Sequence, residues 1–251
     1  MMADWNVLTD ELALWQQQGL ILPLWWRDDD AVSKTPQLER LSAMSEDLGV
    51  PVHLAIIPRE AEDSLADYVN ARSHLIPVVH GWAHQNHAPQ GEKKSEFRLH
   101  RPMADIQSDA QAGMSRLQAL FGNRLCPMFV PPWNRIAPEV APELPKAGYR
   151  ILSTATPRSS AQAAPGLDQI NTHLDPIDWR GSRGLANPDT LIAKTVHLLK
   201  DRREGRADNA EPFGVLTHHL VHDEDIWTFT HDLLLRLLDG PSVIWSAPTA
   251  E

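Results

Sequence analysis

Short apolar runs of β-forming residues alternate along this chain with longer segments of helical periodicity. The strand candidates are Leu20–Trp26, Val52–Ile57, Leu75–Val79, Leu125–Val130, Tyr149–Ser153, Gln169–His173, Phe213–Thr217 and Val243–Trp245. The helix candidates lie around Pro36–Leu48, Ala61–Ala71, Ala104–Phe121, Pro138–Ala147, Pro188–Arg203 and Asp225–Leu238, after an opening helix that ends near Gly19. Such alternation predicts βαβ units and a parallel sheet, open or closed into a barrel. The alternation continues past the Pro- and Ser-rich stretch 157–166, so we expect that stretch to be a surface loop within a single domain, residues 1–251.

The composition limits the partners of such a domain. The chain has 251 residues and a formal net charge of −10, which disfavours nucleic acid or an anionic membrane as the main partner. One cysteine, Cys126, excludes an internal disulfide and favours a reducing compartment. The N-terminus lacks the pattern of a signal peptide, and no apolar run approaches the ~18 residues of a membrane span. We therefore expect a cytoplasmic protein.

The chemically reactive segments follow the predicted strands. They are Asp28–Asp30, HGWAHQNH (80–87), PPWNR (131–135), DPIDW (175–179) and HHLVHD (218–223). Active sites of barrel enzymes are assembled at the carboxyl ends of the strands. We therefore expect these five segments to meet at one mouth.

Two of the segments have the composition of a divalent metal site. His80 and His84 are four residues apart, so on a helical turn both could reach one ion, although a chance pair with a packing role has the same spacing. Asp28–Asp30 could cap a helix, but three aspartates exceed what a cap needs. An aspartate with two histidines suits zinc or a similar ion, and a second aspartate could take a proton from a water molecule. Neither this histidine pair nor His218 and His222 forms H-E-x-x-H, which disfavours a zincin-type protease.

In order and content, the segments resemble the motifs of the polysaccharide deacetylases, the family 4 carbohydrate esterases. That family carries an Asp-Asp pair, His-Ser/Thr-x-x-His, Arg-x-Pro-Tyr/Trp, Asp-x-x-Asp-Trp and Leu-x-His in this order. The counterparts here are RDDDA, HGWAH, FVPPWN, DPIDW and LTH, which run from residue 27 to residue 218. The resemblance implies a divergent member with the family's α/β fold, a distorted (β/α) barrel of about seven parallel strands.

Carried over residue by residue, the resemblance implies a divalent ion, with zinc as our choice, held by Asp30, His80 and His84. The preceding residue, Asp29, would be the catalytic base. Because three aspartates follow one another, a register that uses Asp28 and Asp29 in these two roles stays open.

The same resemblance implies the residues that act on the leaving group. His218 matches the family's acid, with His219 and His222 as competitors for that role. Asp175 matches the residue that orients the acid, and Trp179 matches the apolar wall beside it.

Two positions depart from the family pattern. Val130 stands where the third motif has an arginine that pairs with the base, and Gly81 stands where a hydroxyl residue tightens the turn. Arg27 or Arg135 could supply the missing charge. Alternation along an extended strand puts Arg27 on the same side as Asp29, so we predict that Arg27 is the partner.

Aromatic residues cluster in or beside these segments. Trp82, Trp133 and Trp179, together with Pro132, are our candidates for substrate binding, and Trp26 lies nearby. Broad rings suit the apolar faces of sugars, and buried anchoring of the loops is an equal alternative.

These residues predict a metal-dependent deacetylase, an amide hydrolase that acts on an N-acetylated sugar or oligosaccharide. One alternative keeps the chemistry and changes the substrate to a small non-sugar amide. Another is a non-catalytic barrel that binds a sugar or a metal, for which Val130 is the best support.

Overall fold

The structure, a computed structural model that describes residues 4–247, is organised around a curled sheet. Its strands are β1 (Leu22–Ala31), β2 (Val52–Ile56), β3 (Leu75–His80), β4 (Met128–Val130), β5 (Ile151–Leu152), β6 (Gln162–Ala164), β7 (Leu167–Gln169), β8 (Phe213–Thr217) and β9 (Ser242–Ile244). Its α-helices are α1 (Asn6–Gln17), α2 (Pro36–Leu48), α3 (Asp63–Asn70), α4 (Met103–Phe121), α5 (Pro188–Arg203) and α6 (Glu224–Asp239).

The strand order is β6-β7-β5-β4-β3-β2-β1-β8, and β9 pairs with the start of β1. Every pair is parallel except β6 with β7. After β7 the chain forms parallel bridges to both ends of the sheet, Thr172 to Ala155 and Leu174 to Val215. The sheet thus curls into a distorted barrel in which seven parallel strands follow one another, which confirms the predicted fold class.

Strand β1, which lies between β2 and β8, is largely buried. Leu22, Leu24, Trp25 and Trp26 are fully buried in it, as is Trp15 of α1. The apolar pattern predicts a strand that ends at Trp26, before the aspartates. In the structure β1 instead continues through Asp28–Asp30. Its pairing with β2 shifts register between Asp28 and Ala31. This bulge re-aims the side chains that follow it.

Most helices begin and end where sequence signals place them. The Thr35 side chain accepts a hydrogen bond from the Leu38 amide at the start of α2, and Asn187 and Asp223 cap α5 and α6 in the same way. Gly49 ends α2 with a φ of 65°. None of the helices in residues 4–247 is long and apolar enough to cross a membrane.

Two segments differ from the predicted elements. The segment predicted as a helix over Pro138–Ala147 is a 3₁₀-helix at Ala141–Ala147, with a proline in its interior that cannot donate a backbone hydrogen bond. The predicted loop 157–166 contains β6, which forms a hairpin with β7. Both differences lie away from the ends of β1, β3 and β8, where the reactive residues gather.

Candidate active site

A cavity of about 800 Å³ opens where β1, β3, β4 and β8 end. Its size is typical of a site for a small molecule or a saccharide. It is lined by Asp29, Asp30, His80, His84, Asn86, Lys94, Trp133, Asn134, Arg135, Asp175, Trp179, Arg183 and His218. Members of all five predicted segments are among them, so the topology brings these segments to one mouth.

Asp30, His80 and His84 form a compact set of metal-ligand atoms. One oxygen of Asp30, Oδ1, lies 3.1 Å from Nε2 of His80 and 3.4 Å from Nε2 of His84. All three ligand atoms lie within 4.8 Å of one another. The other ring nitrogen of His80, Nδ1, donates to the carbonyl of Val130 at 3.0 Å, and this bond aims Nε2 at the Asp30 carboxylate. One oxygen and two nitrogen acceptors that converge in this way fit a divalent ion such as zinc.

The charges around these three residues also favour a cation. Burial alone would raise the pKa of Asp30, but hydrogen bonding and charge from His80, with the charges of His218 and His84, lower it far below the ordinary value. Burial opposes the charged form of His80, yet Asp29 and Asp30 raise its pKa above 6.5. The two carboxylates therefore stabilise positive charge at this point of the cavity.

Arg27 forms a bidentate ion pair with Asp29. Its Nε lies 2.8 Å from Oδ1 and its Nη2 lies 3.0 Å from Oδ2. Both side chains are almost completely buried. The contact that strand alternation predicts between these two residues is therefore present, and it orients one carboxylate beside the metal-ligand set.

The remaining donors of Arg27 fix the guanidinium in place. Nη1 donates to the Ser153 hydroxyl at 2.8 Å, and Nη2 donates to Oδ1 of Asn134 at 2.6 Å. Arg135, the other candidate for the cation partner of Asp29, instead donates to the carbonyl of Lys94 at 2.8 Å. Val130 lies buried in β4, where its carbonyl holds His80.

Asp28, the first aspartate of the run, faces away from the cavity. It is fully buried, and its oxygens accept hydrogen bonds from the Thr217 hydroxyl at 2.6 Å and from the His219 amide at 3.0 Å. A third bond joins it to Nδ1 of His219 at 2.5 Å. Asp28 thus ties β1 to the segment after β8, and Asp30 is the aspartate that lies beside the two histidines.

His218 is the histidine of the last segment that lines the cavity. His219 is fully buried against Asp28, and Nε2 of His222 accepts from the backbone amide of His218. Nδ1 of His218 is buried, has no hydrogen-bond partner among residues 4–247, and lies 4.0 Å from Oδ2 of Asp175. His218 is therefore the member of this group that can reach a bound molecule.

Asp175 is held by its own loop. Its Oδ1 accepts from the Ile177 amide at 2.9 Å and its Oδ2 accepts from Nε1 of Trp179 at 2.7 Å. Burial raises the pKa of Asp175, although the charge of His218 opposes this shift. The Trp179 ring packs edge-on against the His218 ring with a centroid distance of 4.7 Å. The loop thus positions both the Asp175 carboxylate and the Trp179 ring beside His218.

The turn that carries His84 is fixed by a residue outside the five segments. The buried Glu96 carboxylate accepts hydrogen bonds from the amides of Trp82, Ala83 and Gln85, at 3.2, 2.9 and 3.2 Å. Gly81 has a φ of 58°, and a Cβ there would overlap Glu96 Oε2 and lie 2.5 Å from Pro132 Cδ. Glycine at this position therefore lets a carboxylate supply the tie that a hydroxyl residue supplies in the family motif.

The aromatic candidates divide into two groups. Trp133 and Trp179 line the cavity, and the Trp133 ring lies 4.3 Å from the His84 ring. Trp82 packs against the hydrophobic core, and Pro132 is buried beside Gly81, so neither lines the cavity. Trp26 is fully buried and donates from Nε1 to the Thr217 hydroxyl. The three members that do not line the cavity therefore anchor the loops, and Trp133 and Trp179 remain as candidates for substrate binding.

Backbone strain is concentrated around this cavity. Six residues other than glycine in residues 4–247 have a positive φ. Five of them line the cavity: Asp30, His84, Trp133, Asn134 and Arg183. Such conformations cost ~1–3 kcal/mol each and persist where the surroundings enforce them, often at functional sites.

The residues that the motifs did not indicate are two cavity-lining cations, Lys94 and Arg183, and several supporting residues. Glu96 and Ser153 carry no motif, and nothing in the local sequence distinguishes them from surface polar residues. Asn134 lies inside the PPWNR segment, where its proximity to Trp133 was the available signal.

No family model matches the chain, and no curated protein sequence matches it. Among solved structures, it is similar to a family 4 carbohydrate esterase from Streptomyces lividans in complex with acetate, with a TM-score of 0.58 and 12% identity. That alignment covers 91% of this chain and 98% of the other.

Two further structures have the same fold. The chitin deacetylase of the fungal pathogen Colletotrichum lindemuthianum aligns with a TM-score of 0.54 and 15% identity over 89% of this chain and 86% of its own. A family 4 acetyl xylan esterase from Clostridium thermocellum, in complex with a cobalt ion, aligns with a TM-score of 0.50 and 14% identity over 88% and 87%. The chain therefore has the fold of the family 4 carbohydrate esterases.

Proposed function

We propose that the protein is a metal-dependent deacetylase that hydrolyses the amide of an N-acetylated sugar or oligosaccharide. The observation that carries this proposal is the meeting of two sets of side chains in one cavity. On one side lie Asp30, His80 and His84 with the arginine-bound carboxylate of Asp29, and His218 with Asp175 lines the same cavity. Amide hydrolysis needs this combination of a base, an acid and a stabilised carbonyl oxygen.

Asp30, His80 and His84 hold the divalent ion, for which zinc is our choice. When bound there, the ion supplies polarisation of the acetyl carbonyl and increases the acidity of a water molecule. The bond from His80 to the Val130 carbonyl keeps the imidazole in the tautomer that can bind it.

Asp29 is the base that takes a proton from the attacking water. A base must be positioned to accept this proton, and the two hydrogen bonds from Arg27 hold its carboxylate in place. Arg27 therefore takes over the role that the third-motif arginine has in the family. With this cation present, Val130 gives no support to the non-catalytic alternative.

His218 is the acid that gives a proton to the departing amine. An amide carbon–nitrogen bond breaks slowly unless the nitrogen is protonated as it leaves. Oδ2 of Asp175 lies 4.0 Å from Nδ1 of His218, and Asp175 is the residue that orients this acid. Trp179 keeps both groups in place through its bond to Asp175 and its packing on His218.

The sugar is the substrate class that the cavity walls support best. Trp179 is 40% exposed and Trp133 borders the metal-ligand set, so two broad rings face the place of the reacting acetamide. Aromatic rings stack on the apolar faces of sugars. The solved structures with this fold that are named for carbohydrate substrates add to this support.

The test is acetate release by zinc-loaded protein from N-acetylated oligosaccharides and, in parallel, from small cyclic and linear N-acetyl amides. We expect release from the sugars. An Asp29→Asn variant that binds zinc normally should lose turnover by about 10²-fold or more, because its base is removed. Activity on small amides alone would contradict the sugar assignment, and binding of sugars without acetate release from any compound would contradict catalysis.

A further inference from the structure

A second cavity, which we call the arginine cavity, adjoins the active-site cavity. It has a volume of about 570 Å³. Asn134 and Arg135 line both cavities, so the two share a wall. Arg27 supports this wall from behind, since it donates to the Asn134 side chain and to the Thr154 carbonyl. The two cavities are therefore neighbours at Asn134 and Arg135.

The charge of the arginine cavity is opposite to that of the protein. Arg98, Arg135 and Arg158 line it, and no aspartate or glutamate does. The whole chain carries a formal net charge of −10. The positive charge of this lining is therefore local, because the chain as a whole is negatively charged.

Two of the three arginines have no carboxylate partner. Arg158 is paired with Asp208 at 2.6 Å. Neither Arg98 nor Arg135 forms an ion pair with another residue in the range 4–247. Their segments are joined by a bridge between Phe97 and Ile136, and Arg98 and burial together lower the pKa of Arg135. Two neighbouring cations without a counter-charge favour an anion between them.

The polar groups of the cavity floor are already bonded to one another. The side chain of Asn171 accepts from the Thr154 amide and hydroxyl, both at 2.9 Å, and donates to the Thr156 carbonyl at 2.8 Å. Arg135 uses Nη1 for the Lys94 carbonyl, which leaves its other nitrogens able to donate. The arginines are therefore the charged donors that this lining offers to a ligand.

We propose that the arginine cavity binds an anionic group, a carboxylate or a phosphate, on the substrate of the adjacent site. The substrate is then an acidic N-acetylated saccharide rather than a neutral one. That the bound anion belongs to a substrate rests on the proposed deacetylase function, whereas the anion site itself rests on Arg98 and Arg135.

The test compares matched neutral and anionic ligands on the zinc-loaded full chain, with binding followed by tryptophan fluorescence. One pair is a chitin hexasaccharide and a hyaluronan hexasaccharide, which carries glucuronate carboxylates. The other pair is N-acetylglucosamine and N-acetylglucosamine 1-phosphate. We expect the anionic member of at least one pair to bind about tenfold or more tightly, with the preference falling as salt is raised. The pair that shows the preference identifies the anion as a carboxylate or a phosphate.

Variants separate the arginine cavity from the metal as the site of the anion. The double substitution Arg98→Gln with Arg135→Gln should remove the preference for the anionic over the neutral ligand, and Arg98→Lys with Arg135→Lys should retain part of it. The control is Lys93→Gln, an exposed residue that lines neither cavity. Equal binding of both members, or a preference that survives the double glutamine substitution, would overturn the proposal.

Acetate release is measured on the same samples, so the two proposals can fail separately. Release without any anion preference overturns the anion site and leaves the deacetylase in place. An arginine-dependent preference without release from any compound supports the anion site and contradicts the deacetylase.

Discussion

Arg27 and Asp29 lie two residues apart on one strand and form an ion pair through two parallel hydrogen bonds of 2.8 and 3.0 Å. Side chains two residues apart on a strand point to the same face, and here that face is the interior of the barrel mouth. The carboxylate that we propose as the base and its cation therefore reach the site on a single strand. In the family pattern the cation comes from the strand that here ends with Val130.

Removal of this cation should affect both stability and turnover. Arg27→Met leaves the nearly buried Asp29 carboxylate without its counter-charge, and we expect a loss of about 3–5 kcal/mol in the free energy of unfolding. Below its melting temperature the variant should retain zinc and lose turnover by about 10²-fold, because the proposed base is no longer held in position. Urea unfolding, metal analysis and acetate release measure these effects. Arg40→Met is the control, because Arg40 also forms a bidentate ion pair, with Glu224, and lines neither cavity; an equal loss of turnover in that variant would contradict the assignment.

Substitution of either histidine ligand should remove the metal. His80→Ala and His84→Ala each delete one of three converging atoms, so we expect zinc affinity to fall by at least about 10²-fold and activity to fall with it. Chelation of the wild-type protein should have the same effect on activity, and added zinc should restore it. The matched control is His197→Ala on the exposed face of α5. Acetate release that is unchanged in both ligand variants would exclude a role for the metal.

Substitution of Gly81 by any residue with a side chain should destabilise the fold. Gly81→Ala combines a φ of 58° with overlap of the new methyl group with Glu96 and Pro132, and we expect a loss of about 2–4 kcal/mol in unfolding free energy. Gly49→Ala is the control, because its φ is 65° and a Cβ there meets nothing within 4 Å. The difference between the two variants in free energy of unfolding, measured in urea, reports the cost of the overlap, because the cost of the positive φ is common to both. If they lose the same stability, the contact with Glu96 is not what requires glycine.

His53 should make the fold less stable at acidic pH. Burial lowers the pKa of this fully buried histidine to about 4 from its ordinary 6.5. Between these values the unfolded chain binds a proton that the folded chain does not, so stability falls as pH falls through this window. The full effect is on the order of 3 kcal/mol. His53→Gln, which does not titrate, should flatten the curve of unfolding free energy against pH from 7.5 to 4.5, and an unchanged slope would refute this assignment.

The sequence was sufficient for the fold because its strands are short, apolar and separated by strong helix signals. It also predicted that the run Asp28–Asp30 meets His80 and His84, because parallel strands present their carboxyl ends at one edge, whereas the choice of Asp30 came from the family resemblance. The bulge in β1 was beyond such reasoning. Which of three consecutive aspartates faces the histidines depends on a register shift against β2, and local pattern does not encode that shift.

The supporting residues could not be predicted for a different reason. Glu96 reaches the turn at 82–85 only because the intervening loop folds back, with the Asn86 side chain accepting from the Ser95 amide at 2.9 Å. Trp82 belongs to a predicted site segment, yet it packs against the core. Contacts of this kind follow from the path of a loop, and residue type alone does not specify them.

The left-handed residues around the active-site cavity have a consequence for protein engineering. Glycine relieves the cost of a positive φ, so substitutions of Asp30, His84, Trp133 or Asn134 by glycine would release local strain. A selection for melting temperature alone would therefore favour the loss of a metal ligand and of the aromatic wall. Thermostable variants of this protein should be selected for acetate release at the same time, or the residues exchanged first will be those that do the chemistry.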